Sequence, residues 1–359
     1  MVVVDCRMAL SSGIGTYVCN LLPRIVRAAP EYEFTGLARS SDIPRLRALI
    51  SGVEFRPCDA RVYSPYEQIA LIRSAPRTAR IFWSPHINVP ILFRGRLLVT
   101  VHDLFPFAFA SLTNTRIDKL VYTRAMLRLV RARAAGVICV STFTASELVR
   151  LLGPLRQPLT VAHNGVDCAW FEAREAPVLR AGPYVVYVGN VKPHKNLPRL
   201  ITAFAKLAHR LPHELVIAGQ REGFADHARV TVADEARLLE QGRLHYTGRL
   251  EDDELRQLVA QADALVLPSL YEGFGLPPLE AMAAGVPVLV ARAAALPEVC
   301  GDAALYCDPL LSDDIAAQLE RLLLEPSLRE RLRARGRAHA QTFRWDRSAE
   351  LTLSALRRL

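Results

Sequence analysis

No apolar run in this chain approaches the ~18 residues of a membrane-spanning helix, so no such helix is expected. The seven cysteines, Cys6, Cys19, Cys58, Cys139, Cys168, Cys300 and Cys307, are odd in number, irregularly spaced and free of any C-x-x-C pair. That argues against a disulfide framework and a zinc site; the cysteines read as small buried hydrophobes in a reducing cytosol. The first residues run straight into an apolar strand, with neither a basic n-region nor a small-residue cleavage site, so a cytoplasmic location is expected. Aromatic residues make up 7% of the chain and no basic stripe is interleaved with them, so nucleic acid is not the expected partner. Repeats of solenoid length and low-complexity tracts are absent as well.

What remains is a chain of 359 residues, 51% hydrophobic and 23% charged. That is too long for one typical domain and apolar enough to bury two cores. The net charge of +9 is carried mostly by arginine, a balance that attracts acidic partners such as nucleotides and lipid phosphates.

Short apolar runs alternate with helical patterns throughout, which predicts an α/β chain with parallel sheets. Strands are expected at residues 2–4, 33–37, 80–83, 97–101, 137–140 and 159–161 in a first unit. A second unit is expected to hold strands at 184–189, 215–218, 244–246, 264–267 and 287–290. The predicted domains are 1–172 and 183–345, joined by a polar, aperiodic linker at 173–182. A terminal helix over 346–359 is expected to return to the first. Each half reads as a doubly wound, Rossmann-like sheet. Such sheets bind ligands outside the carboxyl ends of their strands, and two of them facing each other make a deep interdomain cleft.

The most informative stretch is 271–285, YEGFGLPPLEAMAAG. It follows the apolar strand at 264–267, and Pro277 and Pro278 open a helix that stops at Gly285. Strand, glycine loop and helix N-terminus in that order present backbone N–H groups and a positive dipole end to a phosphate. Glu272 in the loop and Glu280, expected in the first helical turn, are suited to accept hydrogen bonds from sugar and ribose hydroxyls. Each feature alone is as well explained by a turn or a favourable dipole partner; their combination points to a nucleotide-sugar enzyme.

Other candidates sit at strand ends. In the first half, Gly13 and Gly15 follow the first strand and open a helix, where glycine lets backbone approach a phosphate. The third glycine of a dinucleotide fingerprint is missing, and a plain strand-to-helix turn competes. His102 and Asp103 end the strand at 97–101. His102 is a candidate donor to a sugar hydroxyl with Asp103 orienting it; a histidine satisfied by its neighbours is the alternative. In the second half, the strand at 184–189 leads to Asn190 and then to Lys195 and Asn196 before a helix over 197–211. Asn196 is a natural N-cap. A cation at a helix N-terminus is disfavoured unless an anion sits there, so Lys195 points to a bound diphosphate, against the alternative of a solvated loop lysine. Over 120–133, Arg124, Arg128 and Arg131 line one side of an amphipathic helix. That reads either as a solvated face or as a contact with an anionic membrane surface or lipid diphosphate.

Together these motifs resemble the retaining family-4 glycosyltransferases of the two-Rossmann GT-B fold. The likeness rests on Gly189-x5-Lys195-Asn196, on the Glu272-x7-Glu280 pair and on LPEVCGDAA at 296–304. It also rests on SGIGTY at 12–17, SPH at 84–86, VTVHDLFP at 99–106, VSTFTASEL at 140–148 and HNGVD at 163–167. It covers nearly the whole chain and is nearest to the mannosyltransferase-B-like branch that builds bacterial O-antigen and related surface polysaccharides. The resemblance implies metal-independent, cofactor-free transfer of a sugar from a nucleoside-diphosphate sugar, with retention at the anomeric carbon. The implied acceptor is polyprenyl-diphosphate-linked or a glycan, and the first expectation for the donor is GDP-mannose.

By that likeness Lys195 contacts the diphosphate, Glu280 the ribose and Glu272 the donor sugar. Backbone amides of Gly273, Phe274, Gly275 and Leu276 hold sugar and phosphates, with Asn190 nearby. His102 touches the donor sugar and the Gly13–Gly15 loop faces the diphosphate. Two departures stand out: His194 occupies a position where an arginine is common in the family, and Arg292-Ala-Ala-Ala295 replaces a loop often rich in hydroxyls. A nucleotide-sugar epimerase of the same architecture and a binding protein without catalysis are the alternative functions.

Overall fold

The computed structural model describes residues 1–11, 13–64, 66–108, 117–173, 182–219 and 229–359. The chain divides into two compact units, one of Met1–Gly165 with Arg344–Leu359 and one of Val166–Phe343.

The first unit is a seven-stranded parallel sheet of β1 (Val2–Asp5), β2 (Phe34–Ala38), β3 (Val53–Pro57), β4 (Ile81–Ser84), β5 (Arg96–Val101), β6 (Ala134–Cys139) and β7 (Leu159–Val161), in the order β3-β2-β1-β4-β5-β6-β7. The central strands β1 and β4 are buried along their whole length, which is why they read in the sequence as continuous apolar runs. Helices Ile14–Ala28 and Trp345–Arg357 pack against each other. Helices Glu67–Ser74, Ile117–Arg133 and Thr142–Leu152 contribute Leu71, Leu127, Val130 and Leu148 to the core formed with Val3, Phe82, Val99 and Val137.

The second unit is a six-stranded parallel sheet of β8 (Tyr184–Val188), β9 (Glu214–Ala218), β10 (Leu244–Gly248), β11 (Ala264–Leu267), β12 (Val288–Ala291) and β13 (Leu305–Cys307), ordered β10-β9-β8-β11-β12-β13. In both sheets the strand order reverses beside the first strand, at β1/β4 and at β8/β11, the point where such sheets take their ligands.

The expected strands are present, with ends displaced by up to three residues, but β3 and β13 were not foreseen. Both are edge strands. One side of each lacks a neighbour; β3 is half exposed, with Glu54 and Arg56 breaking its apolar pattern, and β13 is only three residues long. The helix expected over 197–211 ends at Leu207 and passes into a turn at 208–210; Pro212 disfavours helical backbone at Leu211. The first unit ends at Gly165 rather than at 172, because helix Ala169–Glu172 packs on helix Leu276–Ala283 of the second unit. Most of the expected linker, 174–181, lies outside the described residues.

Candidate functional site

In the second unit β8 runs into a loop that ends in a tight turn, Pro193–Lys195. Asn196 follows with φ 59°, in the left-handed region that asparagine tolerates better than most residues. Its side chain does not cap the helix that follows, contrary to expectation. Instead Nδ2 donates to the carbonyls of Pro268 at 2.9 Å and Pro309 at 2.7 Å, and Oδ1 accepts from Arg199. One buried amide thereby ties the loop to the end of β11 and to the segment after β13. Leu270 N donates to the His194 carbonyl at 2.7 Å, fastening the same two loops a second time.

This stitching sets Lys195 against Glu272. Nζ donates to both carboxylate oxygens, at 2.6 and 2.8 Å, with both side chains largely buried. The anion recorded beside Lys195 is thus a side chain of the chain itself. His194, which stands where an added cation was considered, is pushed down to about 3 by burial and by Lys195 and Lys192. It is neutral and supplies no second positive charge.

The glycine loop turns on Gly275, whose φ of 102° and whose approach to Leu296 leave no room for a Cβ, which would meet Leu296 Cδ2 at 2.8 Å. Helix Leu276–Ala283 begins directly after it. Gly273 and Phe274 are buried, and the Phe274 ring packs edge-on against Phe343. Glu280 lies in the second turn of the helix rather than the first. Burial, with Asp252 next, outweighs Arg256 and raises its carboxyl to about 7. A carboxylate held in that condition gains more than most from hydroxyl donors. Tyr187, on β8, is fully buried, and its hydroxyl has no hydrogen-bond partner among the described residues. Burial and the Glu272 charge push its phenol up, which marks it as a neighbour of the site that the sequence did not disclose. Asn190 is exposed, just past the end of β8.

In the first unit His102 ends β5. Its Nε2 lies 2.9 Å from the Pro85 carbonyl; a carbonyl only accepts, so Nε2 carries the proton. Burial lowers its pKa to about 4, so the ring is neutral and Nδ1 is an acceptor. The ring is held by Pro85 and packs edge-on with Tyr17, 4.8 Å between centroids. Asp103 is exposed and accepts from Phe105 N. With Nε2 used on Pro85, the free ring nitrogen of His102 offers an acceptor to a ligand rather than the expected donor. Gly13 has φ 73° and open space around it, whereas a Cβ on Gly15 would meet the Ala9 carbonyl oxygen at 2.8 Å. Gly15 serves packing of helix on loop; the open backbone is at Gly13.

A charged cluster at the β1/β4 switch point went unread in the sequence. Asp5, Arg7, Glu67 and His86 are all buried. Arg7 donates through Nε and Nη2 to Asp5, pairs with Glu67 at 3.1 Å and donates to the Ala60 carbonyl. His86 Nε2 lies 3.1 Å from Asp5, and Tyr122 donates to Glu67. Burial alone would raise the Asp5 carboxyl, but His86 and Arg7 hold it well below the usual range. The available signal was two opposite charges, Asp5 and Arg7, at the end of an otherwise apolar strand.

On helix Ile117–Arg133, Leu127 and Val130 are buried while Arg124, Arg128 and Arg131 are exposed beside an exposed Val121. Among the described residues, no helix is long and apolar enough to cross a membrane, and no group of three or more His, Cys, Asp or Glu side chains is arranged to hold a metal ion.

Two family models match in tandem: Glycosyltransferase Family 4 over residues 11–170 and Glycosyl transferases group 1 over 171–339. The chain is 29% identical to O-antigen chain mannosyltransferase B of Escherichia coli, over 97% of this chain and 96% of that protein. In three dimensions it resembles a sucrose-phosphate synthase from Thermosynechococcus elongatus, with TM-score 0.77, 20% identity and 99% and 98% of the two chains covered. It also resembles the Anabaena protein HepE solved in complex with UDP and glucose, with TM-score 0.79, 17% identity and 100% and 99% covered.

Proposed function

The chain belongs to the GT-B glycosyltransferases, with a family-4 half and a group-1 half, and from that premise we propose that it transfers a hexosyl group, first of all mannose from GDP-mannose, onto a glycan or polyprenyl-diphosphate-linked acceptor in O-antigen or related polysaccharide assembly. The observation that carries the donor side is the second unit's trio: a Lys195–Glu272 ion pair together with a Glu280 carboxyl raised to about 7. The likeness to a mannosyltransferase over nearly the whole chain supports the choice of sugar.

In this reading Glu280 accepts from the ribose hydroxyls and Glu272 from the donor sugar. Lys195 stabilises the charge that develops on the leaving diphosphate, and Glu272 keeps it in place beforehand. Neutral His102 accepts a sugar hydroxyl at Nδ1. Lysine supplies the counter-charge that a divalent ion supplies elsewhere, so turnover is expected to survive chelation by EDTA. Retention proceeds by front-face substitution, the departing phosphate taking the acceptor proton. A double displacement would require a carboxylate nucleophile, and a glycosyl-enzyme adduct trapped by mass spectrometry would replace this mechanism. The exposed arginines of helix Ile117–Arg133 suit an anionic membrane surface; salt-insensitive or absent binding to anionic vesicles would remove that part.

Calorimetric titration with GDP, UDP, dTDP and ADP tests the reading. One nucleotide should bind selectively, and Glu280→Ala should abolish its binding. Normal binding by that variant would show the site assignment to be wrong. Conversion of the nucleotide-sugar without acceptor, followed by NMR, would favour the epimerase alternative.

A further inference from the structure

Beyond the strand-end residues treated above, the first unit carries an open depression of about 530 Å³ at the carboxyl end of the edge strand β3. Asp59, Arg61, Ser64, Tyr66 and Arg73 are among its lining residues. It lies on the same edge of the sheet as His102, since all strands are parallel. Four strand spacings separate β3 from β5, roughly 19 Å, the span of a short oligosaccharide rather than one sugar.

Its lining is of the kind that binds sugars. Tyr66 is 59% exposed and offers an aromatic face to the apolar side of a pyranose. Asp59 is fastened by Ser40, which donates from N at 2.7 Å and from Oγ at 2.6 Å, and those bonds keep its carboxyl low. It is a positioned, charged acceptor. Arg61 and Arg73 have no carboxylate partner among the described residues and supply forked donors for vicinal hydroxyls. A volume of this size with one aromatic face and a few convergent polar groups matches small-ligand sites generally.

The wall is also held in a costly shape. Tyr63 has φ 67°, a genuine outlier for a bulky residue, and such backbone persists where its surroundings over-determine it. Its ring packs edge-on against Tyr122, whose hydroxyl binds Glu67 of the buried cluster. Burial, and then the charge of Asp103 just past β5, raise the Tyr63 phenol. Buried Arg7 adds support by donating to the Ala60 carbonyl.

We infer that this depression is a remote acceptor subsite, which holds a sugar of the acceptor glycan several units back from the end that meets His102. The inference rests on the transferase reading above. Its consequence is that the enzyme measures acceptor length.

The test is calorimetric titration of the full chain with α-linked mannose oligosaccharides of graded length, alongside a nucleoside diphosphate. Affinity should rise about tenfold from the disaccharide to the hexasaccharide. Tyr66→Ala and Arg73→Ala, both at exposed positions, should each remove most of that gain while nucleoside diphosphate binding stays as in the parent chain. Length-independent affinity, a gain that survives both substitutions, or no oligosaccharide binding while the nucleotide binds, would each overturn the subsite. Loss of nucleotide binding by the parent chain would instead count against the transferase reading itself.

Discussion

Lys195 and Glu272, 77 positions apart in sequence, meet as a two-pronged ion pair at 2.6 and 2.8 Å. The pair changes what Lys195 is: a cation already held by a carboxylate, able to share its charge with a diphosphate without having to be ordered first.

Removing one partner leaves the other poorly solvated. Lys195→Ala should therefore cost about 2 kcal/mol of stability, read as a lower midpoint in urea unfolding. Glu272→Gln on top of it should cost less than the two single changes added together. Additive losses would mean that the pair contributes nothing as a pair.

Glu280 titrates near 7, above the 4.5 of an ordinary glutamate. Between those values the folded chain holds a proton that the unfolded chain has lost, so this contribution to stability fades as pH rises through 7. Thermal melts should show the parent chain losing ground to Glu280→Gln between about pH 5 and 8. Nucleoside diphosphate affinity should run the other way. It should strengthen as the carboxylate ionises, with a slope that Glu280→Gln flattens.

His102 is displaced in the opposite sense, from 6.5 to about 4. The unfolded chain takes up a proton between those values and the folded chain does not, so stability is lost as pH falls through that window. The melting temperature of His102→Gln should fall less than that of the parent chain from pH 6.5 to 4. Because His102 is neutral above pH 5, any acid limb in the rate profile at pH 5.5–7 should persist in this variant.

Asn196 donates to two carbonyls from a left-handed backbone. Asn196→Asp would set oxygens against both carbonyls and should destabilise the chain by about 2–3 kcal/mol. Asn196→Gly keeps the backbone geometry and should cost less. Equal losses, measured by denaturant unfolding, would put the effect in the backbone instead.

The sequence displayed what depends on local pattern. Strands buried on both faces, such as β1, β4, β8 and β11, appear as unbroken apolar runs, and the strand–glycine–helix order around Gly275 was visible because each signal is local. β3 escaped because Glu54 and Arg56 alternate with Val53 and Phe55 on a half-exposed edge strand, which leaves no such run. Gly15 was legible as a glycine at a strand-to-helix turn, but its packing role was not, because that comes from the Ala9 carbonyl, which the loop before the helix brings against it.

The sequence by itself determined a pair of parallel α/β units and the candidates for the chemistry: His102, Lys195 and Glu272 in the segments that follow strands, and Glu280 in the helix after the glycine loop. Only the tertiary structure decided their state. It gave Lys195 its carboxylate, used His102 Nε2 on a carbonyl, turned Asn196 from a cap into a tether and buried Asp5 with Arg7, Glu67 and His86. Periodicity reports how deeply a residue lies; which residues face each other depends on strand order and on loops that close over scores of residues, and that is where charge, tautomer and hydrogen-bond partner are set.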